Sequence, residues 1–207
     1  MANKGKKKGN PNVGPVAVLV VGALALIGLF GWAIYNNEKT DKQQQAAQEM
    51  QKPNQYGCTP SGAKNKPAGV ETVPCKSANH VPEGTQVKYE SDPPLSGDHY
   101  PSWVNPGFYE TPQNPHMLVH SLEHGHVVIY FDPAKVSAEQ QTYLKSLTDK
   151  YKGNWDGVEV IARPNSAQPI ILTAWENVLR LDSFDQARID SFVDAFRGRG
   201  PENPVRF

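Results

Sequence analysis

A long apolar run near the N-terminus limits what this chain can fold into more than any other feature. Val16–Tyr35 (VAVLVVGALALIGLFGWAIY) comprises twenty residues with no charged side chain and no Asn, Gln, Ser or Thr. A helix of that length is about 30 Å long, which is enough to cross the hydrocarbon core of a bilayer. The run is also longer than the roughly 7–15 apolar residues of a cleaved signal peptide. We therefore predict that residues 16–35 form an uncleaved transmembrane signal anchor.

Charge is distributed unevenly on the two sides of this run. The chain has 21 Lys and Arg and 21 Asp and Glu residues, and residues 1–15 contain four of the lysines and no acidic residue. Because positive charge is retained in the cytoplasm, we expect a cytoplasmic N-terminal arm and an exported C-terminal part, in the periplasm or cell envelope. The exported part has 17 basic and 21 acidic groups. It has no basic aromatic surface, which argues against binding to nucleic acid.

The only two cysteines follow a polar linker over residues 36–56, which is rich in Gln. In an oxidising compartment Cys58 and Cys75 most simply pair with each other. The chain-entropy model assigns about 3 kcal/mol of stability to a loop of that size. Two free thiols or a thiolate metal site are the alternative. The folded domain is expected to span residues 57–207.

Hydrophobic periodicity in this domain predicts a compact α+β fold with mixed α/β content. The nearly continuous apolar run His126–Phe131 predicts a central strand. Capping boxes at Ser137 and Ser183 predict two helix starts. The first of these helices is expected to end at about Tyr151 and the second at Gly198. Further strands are predicted over Thr85–Glu90, Val158–Arg163, Pro169–Ala174 and Asn177–Leu181.

A long loop without periodicity lies between Ser91 and Pro115. It contains six prolines and four aromatic residues. Loops of this length inside a compact domain are uncommon unless they serve a function. We therefore expect a functional site in or beside it.

All six histidines lie between His80 and His126. Asn114, Pro115 and Gly125 have the residue types that favour the start and the end of a helix. A helix over 115–124 places His116, His120 and His124 on one stripe, because they are spaced at i, i+4 and i+8. Two imidazoles one turn apart can bind the same ion. His99 in the loop is expected to approach as a further ligand, whereas His80 lies outside the pattern.

The ligand types indicate which metal such a site prefers. Imidazole nitrogens suit zinc, copper, iron and nickel, and the stripe has no Cys and few carboxylates. Cu²⁺ leads the affinity order for nitrogen donors. The sequence therefore favours copper, with zinc as the alternative.

Two linked motifs resemble a known bacterial family. SDPPLSGDHYPSW is followed by LVHSLEHGHVVIYFDP, and residues 81–132 closely resemble a family of membrane-anchored extracytoplasmic proteins catalogued as a domain of unknown function. The resemblance implies a single-pass protein of the bacterial cell membrane. Its motif residues in this chain are His99, His120, Glu123, His124 and Gly125. His116 and His126 lie outside the shared pattern.

A copper-dependent superoxide dismutase is the first function that these residues suggest. Such an enzyme needs a redox-active ion, an open coordination position and a small anionic substrate such as superoxide. In this hypothesis His99, His120 and His124 bind copper, with His116 as a possible fourth ligand. Glu123 orients a ligand histidine, and Tyr100 controls access to the ion.

Two alternatives stay open. The first is a zinc hydrolase, because HSLEH at residues 120–124 matches the H-x-x-E-H order, in which Glu123 is the general base. The second is a protein that binds copper without turnover, or a structural subunit of a cell-envelope complex. Both alternatives use the same anchor, residues 16–35, as the contact with the membrane.

Overall fold

The computed structural model describes residues 28–39, 42, 52–63 and 65–206. The chain divides into two units, Met1–Ala46 and Ala47–Phe207, and residues 28–39 of the first unit are helical. None of the helices formed by the described residues is long and apolar enough to cross a membrane. The predicted arm 1–15, residues 16–27 of the predicted span and part of the linker lie outside the described residues. The transmembrane anchor therefore stays a prediction.

A six-stranded mixed sheet lies at the centre of the second unit. Its strands are β1 (Glu71–Thr72), β2 (Gly107–Tyr109), β3 (Val127–Phe131), β4 (Val158–Ala162), β5 (Ile170–Ala174) and β6 (Asn177–Leu181). Their order across the sheet is β1-β6-β5-β3-β4-β2. Strand β3 pairs in parallel with β4 and antiparallel with β5. The predicted central position of this apolar strand is confirmed.

The described residues of this unit also form three helices: α1 (Pro115–Glu123), α2 (Ala138–Lys150) and α3 (Gln186–Phe196). Helix α2 connects the parallel neighbours β3 and β4, which a tight turn cannot join. The capping box of Ser137 and Gln140 is confirmed at its start. The predicted cap at Ser183 is wrong, because Asp185 caps α3 by accepting a hydrogen bond from the Arg188 backbone N–H.

The sheet is covered on both faces, as the alternation along β3 shows. Val127, Ile129 and Phe131 belong to a core that includes buried residues of α2 and α3. Val128 and Tyr130 point to the other face and belong to a second core with buried residues of α1. The mixed α/β fold is thus confirmed, and α1 lies on the face that also carries the Pro-rich loop.

Local sequence patterns did not predict correctly those strands whose formation depends on pairing with distant segments. Thr85–Glu90 is not a strand, although Val87 and Tyr89 are half-buried and alternate with exposed residues as predicted. No described segment pairs with it to form a ladder. The short strands β1 and β2, at the two edges of the sheet, were not predicted; β2 lies within the Pro-rich loop.

The predicted disulfide is confirmed. Cys58 and Cys75 are bonded, with their Cα atoms 6.0 Å apart, and both side chains are buried in the second core. The bond joins the segment that leads into the domain to the segment that leads to His80.

Candidate metal centre

Helix α1 places two histidines of the predicted stripe in direct contact. The Asn114 side chain accepts a hydrogen bond from the His116 backbone N–H, and Gly125 follows the helix with a φ of 93°. The predicted helix, its cap and its ending are therefore confirmed. His120 and His124 are both buried, and their Nε2 atoms are 2.9 Å apart.

Backbone carbonyl groups orient three of the imidazoles. Because a carbonyl oxygen can only accept, each Nδ1 must carry a proton and donate it, so Nε2 is the nitrogen that can bind a metal ion. The three bonds are His99 Nδ1 to Gly97 O at 2.8 Å, His120 Nδ1 to Tyr100 O at 2.7 Å and His124 Nδ1 to Asn154 O at 3.1 Å. Nε2 is thus the ligand atom of all three histidines, and at His99 a metal ion would replace the proton that Nε2 shares with Glu123.

His80, for which the sequence predicted no role, lies beside this group. It forms an isolated parallel bridge with His99, in which the Val81 N–H donates to the His99 carbonyl at 2.8 Å. The His80 ring stacks on that of His120 at a centroid distance of 4.8 Å. No local pattern could have revealed this pairing, because it joins two irregular segments.

Two carboxylates complete the surroundings of the imidazoles. Glu123 Oε2 lies 3.0 Å from His99 Nε2 and 3.6 Å from His80 Nε2. Glu123 thus contacts a predicted ligand histidine, and its role in orienting that histidine stays a prediction. Glu202 Oε2, which was not predicted, lies 3.2 Å from His124 Nε2.

The C-terminal segment brings Glu202 to the site by docking against the end of α1. The Gly198 N–H donates to the Gly125 carbonyl at 2.8 Å, and Gly200 lies against the backbone of Glu123 and Gly125. A Cβ atom on Gly200 would overlap the Gly125 nitrogen and the Glu123 carbonyl oxygen. The close approach therefore requires glycine at this position.

These side chains form two groups that could each hold a metal ion, and His120 belongs to both. One group contains His80, His99 and His120, and the other contains His120, His124 and Glu202; the ligand atoms within each group lie within 4.8 Å of one another. Of the predicted ligands, His99 and His124 thus belong to different groups. The second group also includes a carboxylate, whereas the sequence favoured a histidine-only site.

His116 and Tyr100 are the other two residues that the hypothesis assigns to the site. His116 belongs to neither group, and its Nδ1 lies 2.8 Å from the Tyr89 hydroxyl. Tyr100 is buried; its hydroxyl accepts from the Gly84 N–H at 2.9 Å and donates to the Thr85 carbonyl at 3.2 Å. These bonds hold its side chain in place, and the Tyr100 carbonyl contacts the site by accepting from His120 Nδ1. Control of access by Tyr100 stays a prediction.

The surroundings keep the α1 imidazoles neutral and the nearby carboxylate charged. Burial, followed by the charge of His120, lowers the pKa of His124 to about 4, and burial also lowers the pKa of His120. Burial alone would lower the pKa of His99, but the hydrogen bond and charge of Glu123 raise it. Burial opposes ionisation of Glu123, but His99 outweighs this effect and lowers the Glu123 pKa. Positive charge on His99 beside an ionised Glu123 is therefore favoured.

His126 belongs to neither group of ligands but contacts the backbone that orients His124. Its Nε2 donates to the Asn154 carbonyl at 2.8 Å, the same oxygen that accepts from His124. Its Nδ1 lies 2.8 Å from Glu159 Oε1, and both side chains are fully buried. This pair fixes the carbonyl that orients His124.

An open pocket of about 500 Å³ gives access to the ligands. Its lining includes His80, Glu123 and Glu202, together with Trp175 and Pro201. His80 and Glu202 are the exposed members of the two groups, with side-chain exposures of 47% and 43%. Solvent and ions can therefore reach both groups from one side.

Comparison with known proteins gives a family without an activity. Residues 80–206 match the model of a family described as "Protein of unknown function (DUF3105)". No curated protein and no solved structure matches the chain. The matched residues run from His80 to beyond Glu202 and so include every member of both groups. Because they cover more than half of the chain, the chain belongs to the DUF3105 family.

Proposed function

We propose that this protein is a membrane-anchored, extracytoplasmic protein that binds one copper ion around His120. The distance of 2.9 Å between the Nε2 atoms of His120 and His124 carries this proposal. Each nitrogen presents a lone pair, because the Nδ1 proton is committed to a carbonyl. Two lone pairs at this distance repel each other unless a cation lies between them.

The donor atoms favour copper over zinc. Cu²⁺ leads the affinity order that divalent first-row metal ions follow at nitrogen and oxygen donors. The mixture of imidazole and carboxylate ligands is compatible with either ion.

Binding without turnover fits the pocket better than superoxide dismutation does. Glu123 and Glu202 line the pocket, and its described lining contains no Lys or Arg. A divalent ion would balance these two negative charges and leave no excess positive charge to attract an anion. We therefore propose that the protein holds copper and passes it on, and we treat dismutation as an outcome to be tested.

Zinc-dependent hydrolysis is a second candidate because of Glu202. An H-x-x-E-H site needs a carboxylate ligand from elsewhere in the chain, and Glu202 supplies one beside His124. Glu123 would be the general base. Zinc-dependent cleavage of a peptide library that is abolished by Glu123→Gln would favour this function over copper binding.

The central prediction concerns His120. Because it belongs to both groups, His120→Ala should weaken copper binding more than about 100-fold, exceeding the effect typical of losing an outer-shell partner. Equilibrium dialysis of the full-length chain with elemental analysis measures this loss. The wild type should retain one copper ion per chain.

His116→Ala is the matched control, because His116 lies on the same helix but in neither group. It should retain copper with unchanged affinity. Equal copper binding by the wild type and His120→Ala would overturn the proposal. Removal of superoxide faster than by free copper, lost in His120→Ala, would instead establish the dismutase.

A further inference from the structure

The two groups of ligands meet at one atom, His120 Nε2. We propose that a single copper ion alternates between two positions that share this ligand. The His99 station consists of His80, His99 and His120. The His124 station consists of His120, His124 and Glu202. This inference rests on the proposed function and adds a route by which the protein accepts and releases the ion.

Only one station can be occupied at a time. His120 Nδ1 donates its proton to the Tyr100 carbonyl at 2.7 Å, so this nitrogen is not available to a metal. An imidazole bridges two ions only when both nitrogens are deprotonated. The single lone pair on Nε2 therefore binds one ion, and the stations compete for it.

The stations also cannot merge into one coordination sphere. Two ligands on opposite sides of an ion with bonds of about 2.0–2.1 Å are at most about 4.2 Å apart. Among the described residues, no group with ligand atoms within 4.8 Å of one another contains both His99 and His124. The ion must therefore leave one of these histidines before it binds the other.

The stations are similar enough for both to be populated. A carboxylate lies beside each station, because Glu123 Oε2 is 3.0 Å from His99 Nε2 and Glu202 Oε2 is 3.2 Å from His124 Nε2. The ion is therefore close to one negative charge in either position. Each station also has one exposed ligand that lines the same pocket, namely His80 or Glu202. An ion can move between them by ligand exchange while His120 stays bound.

Electron paramagnetic resonance of Cu²⁺ tests this arrangement. The full-length chain with one equivalent of Cu²⁺ should give two spectral components, because the His99 station has more nitrogen ligands than the His124 station. His80→Gln should shift the signal toward the component of the His124 station, and Glu202→Gln should shift it in the opposite direction. If the stations are equally populated, loss of either lowers the affinity by only about 2-fold.

His80→Gln and Glu202→Gln form a matched pair, since both side chains are about half exposed and neither change leaves a cavity in the core. Circular dichroism should show unchanged folding in both. A single component in the wild type, the same shift in both variants, or a second equivalent bound as tightly as the first would overturn the two-station arrangement. Failure of the wild type to retain copper would instead overturn the proposed function itself.

Discussion

At the scale of single residues, the chemistry of this site depends on which imidazole nitrogen is free. Three histidines, His99, His120 and His124, are oriented by the backbone. Their Nδ1 atoms donate hydrogen bonds to main-chain carbonyls of Gly97, Tyr100 and Asn154. A carbonyl is present whatever the side chain, so no residue type marks these partners in the sequence. The sequence could therefore predict that His99, His120 and His124 are candidate metal ligands. It could not predict how their imidazole rings are oriented.

Gly200→Ala should disturb the approach of the C-terminal segment to α1. The added methyl group would overlap backbone atoms of Glu123 and Gly125, which cannot move without breaking the helix end. We expect a loss of about 1–3 kcal/mol in the free energy of unfolding, as for other overpacked sites. Urea denaturation of the copper-free chain measures this loss. The electron paramagnetic resonance component of the His124 station should also decrease, because Glu202 moves with the segment.

Gly62→Ala is a suitable control for this change. Its added Cβ would meet its nearest atoms, both on Arg199, at 3.8 and 3.9 Å, which is ordinary van der Waals contact. The free energy of unfolding should stay within about 0.5 kcal/mol of the wild type. Equal stability of Gly200→Ala and the wild type would contradict the tight contact.

At the scale of helices and strands, elements with local signals were predicted well. Helix α1 has its cap at Asn114, a proline at its first position and a glycine of positive φ after its end, all within residues 114–125. Strand β3 is recognisable because it is apolar throughout and buried on both faces. The bridge between His80 and His99 has no such signal, since its partners lie in different irregular segments.

Asn114→Ala should show how much the cap contributes to α1. The Asn114 side chain satisfies the His116 backbone N–H at 2.9 Å, and loss of such a cap typically costs about 1 kcal/mol. Urea denaturation should show this loss. Asn114→Ser is the control, because Ser caps helices about as well as Asn and should restore most of the stability. Equal loss in both variants would show that the cap is not the cause.

At the scale of the whole molecule, the site is assembled from segments that are distant in the sequence. His80 and His99 come from irregular segments, His120 and His124 from α1, and Glu202 from the C-terminal segment. The histidine cluster of the sequence suggested the centre of the site. Glu202 could not be found in this way, because it joins the site only through the docking of Gly198 and Gly200 on α1.

The disulfide connects this assembly to the first segment of the domain. Cys58 lies between Gly57 and Thr59, which line the pocket, and the Trp175 Nε1–H donates to the Thr59 carbonyl at 3.1 Å. Cys75 precedes the segment that carries His80. The bond therefore stabilises the pocket wall on the side of the His99 station.

Replacing both cysteines by serine should destabilise the domain and loosen this wall. The bond closes a loop with a sequence separation of 17, for which the chain-entropy model gives about 3 kcal/mol. Urea denaturation of the copper-free chain should show a loss of this size. Reductant should destabilise the wild type by a similar amount and leave the double variant unchanged, because the chain has only these 2 cysteines. A loss below about 1 kcal/mol would contradict the chain-entropy estimate for this bond.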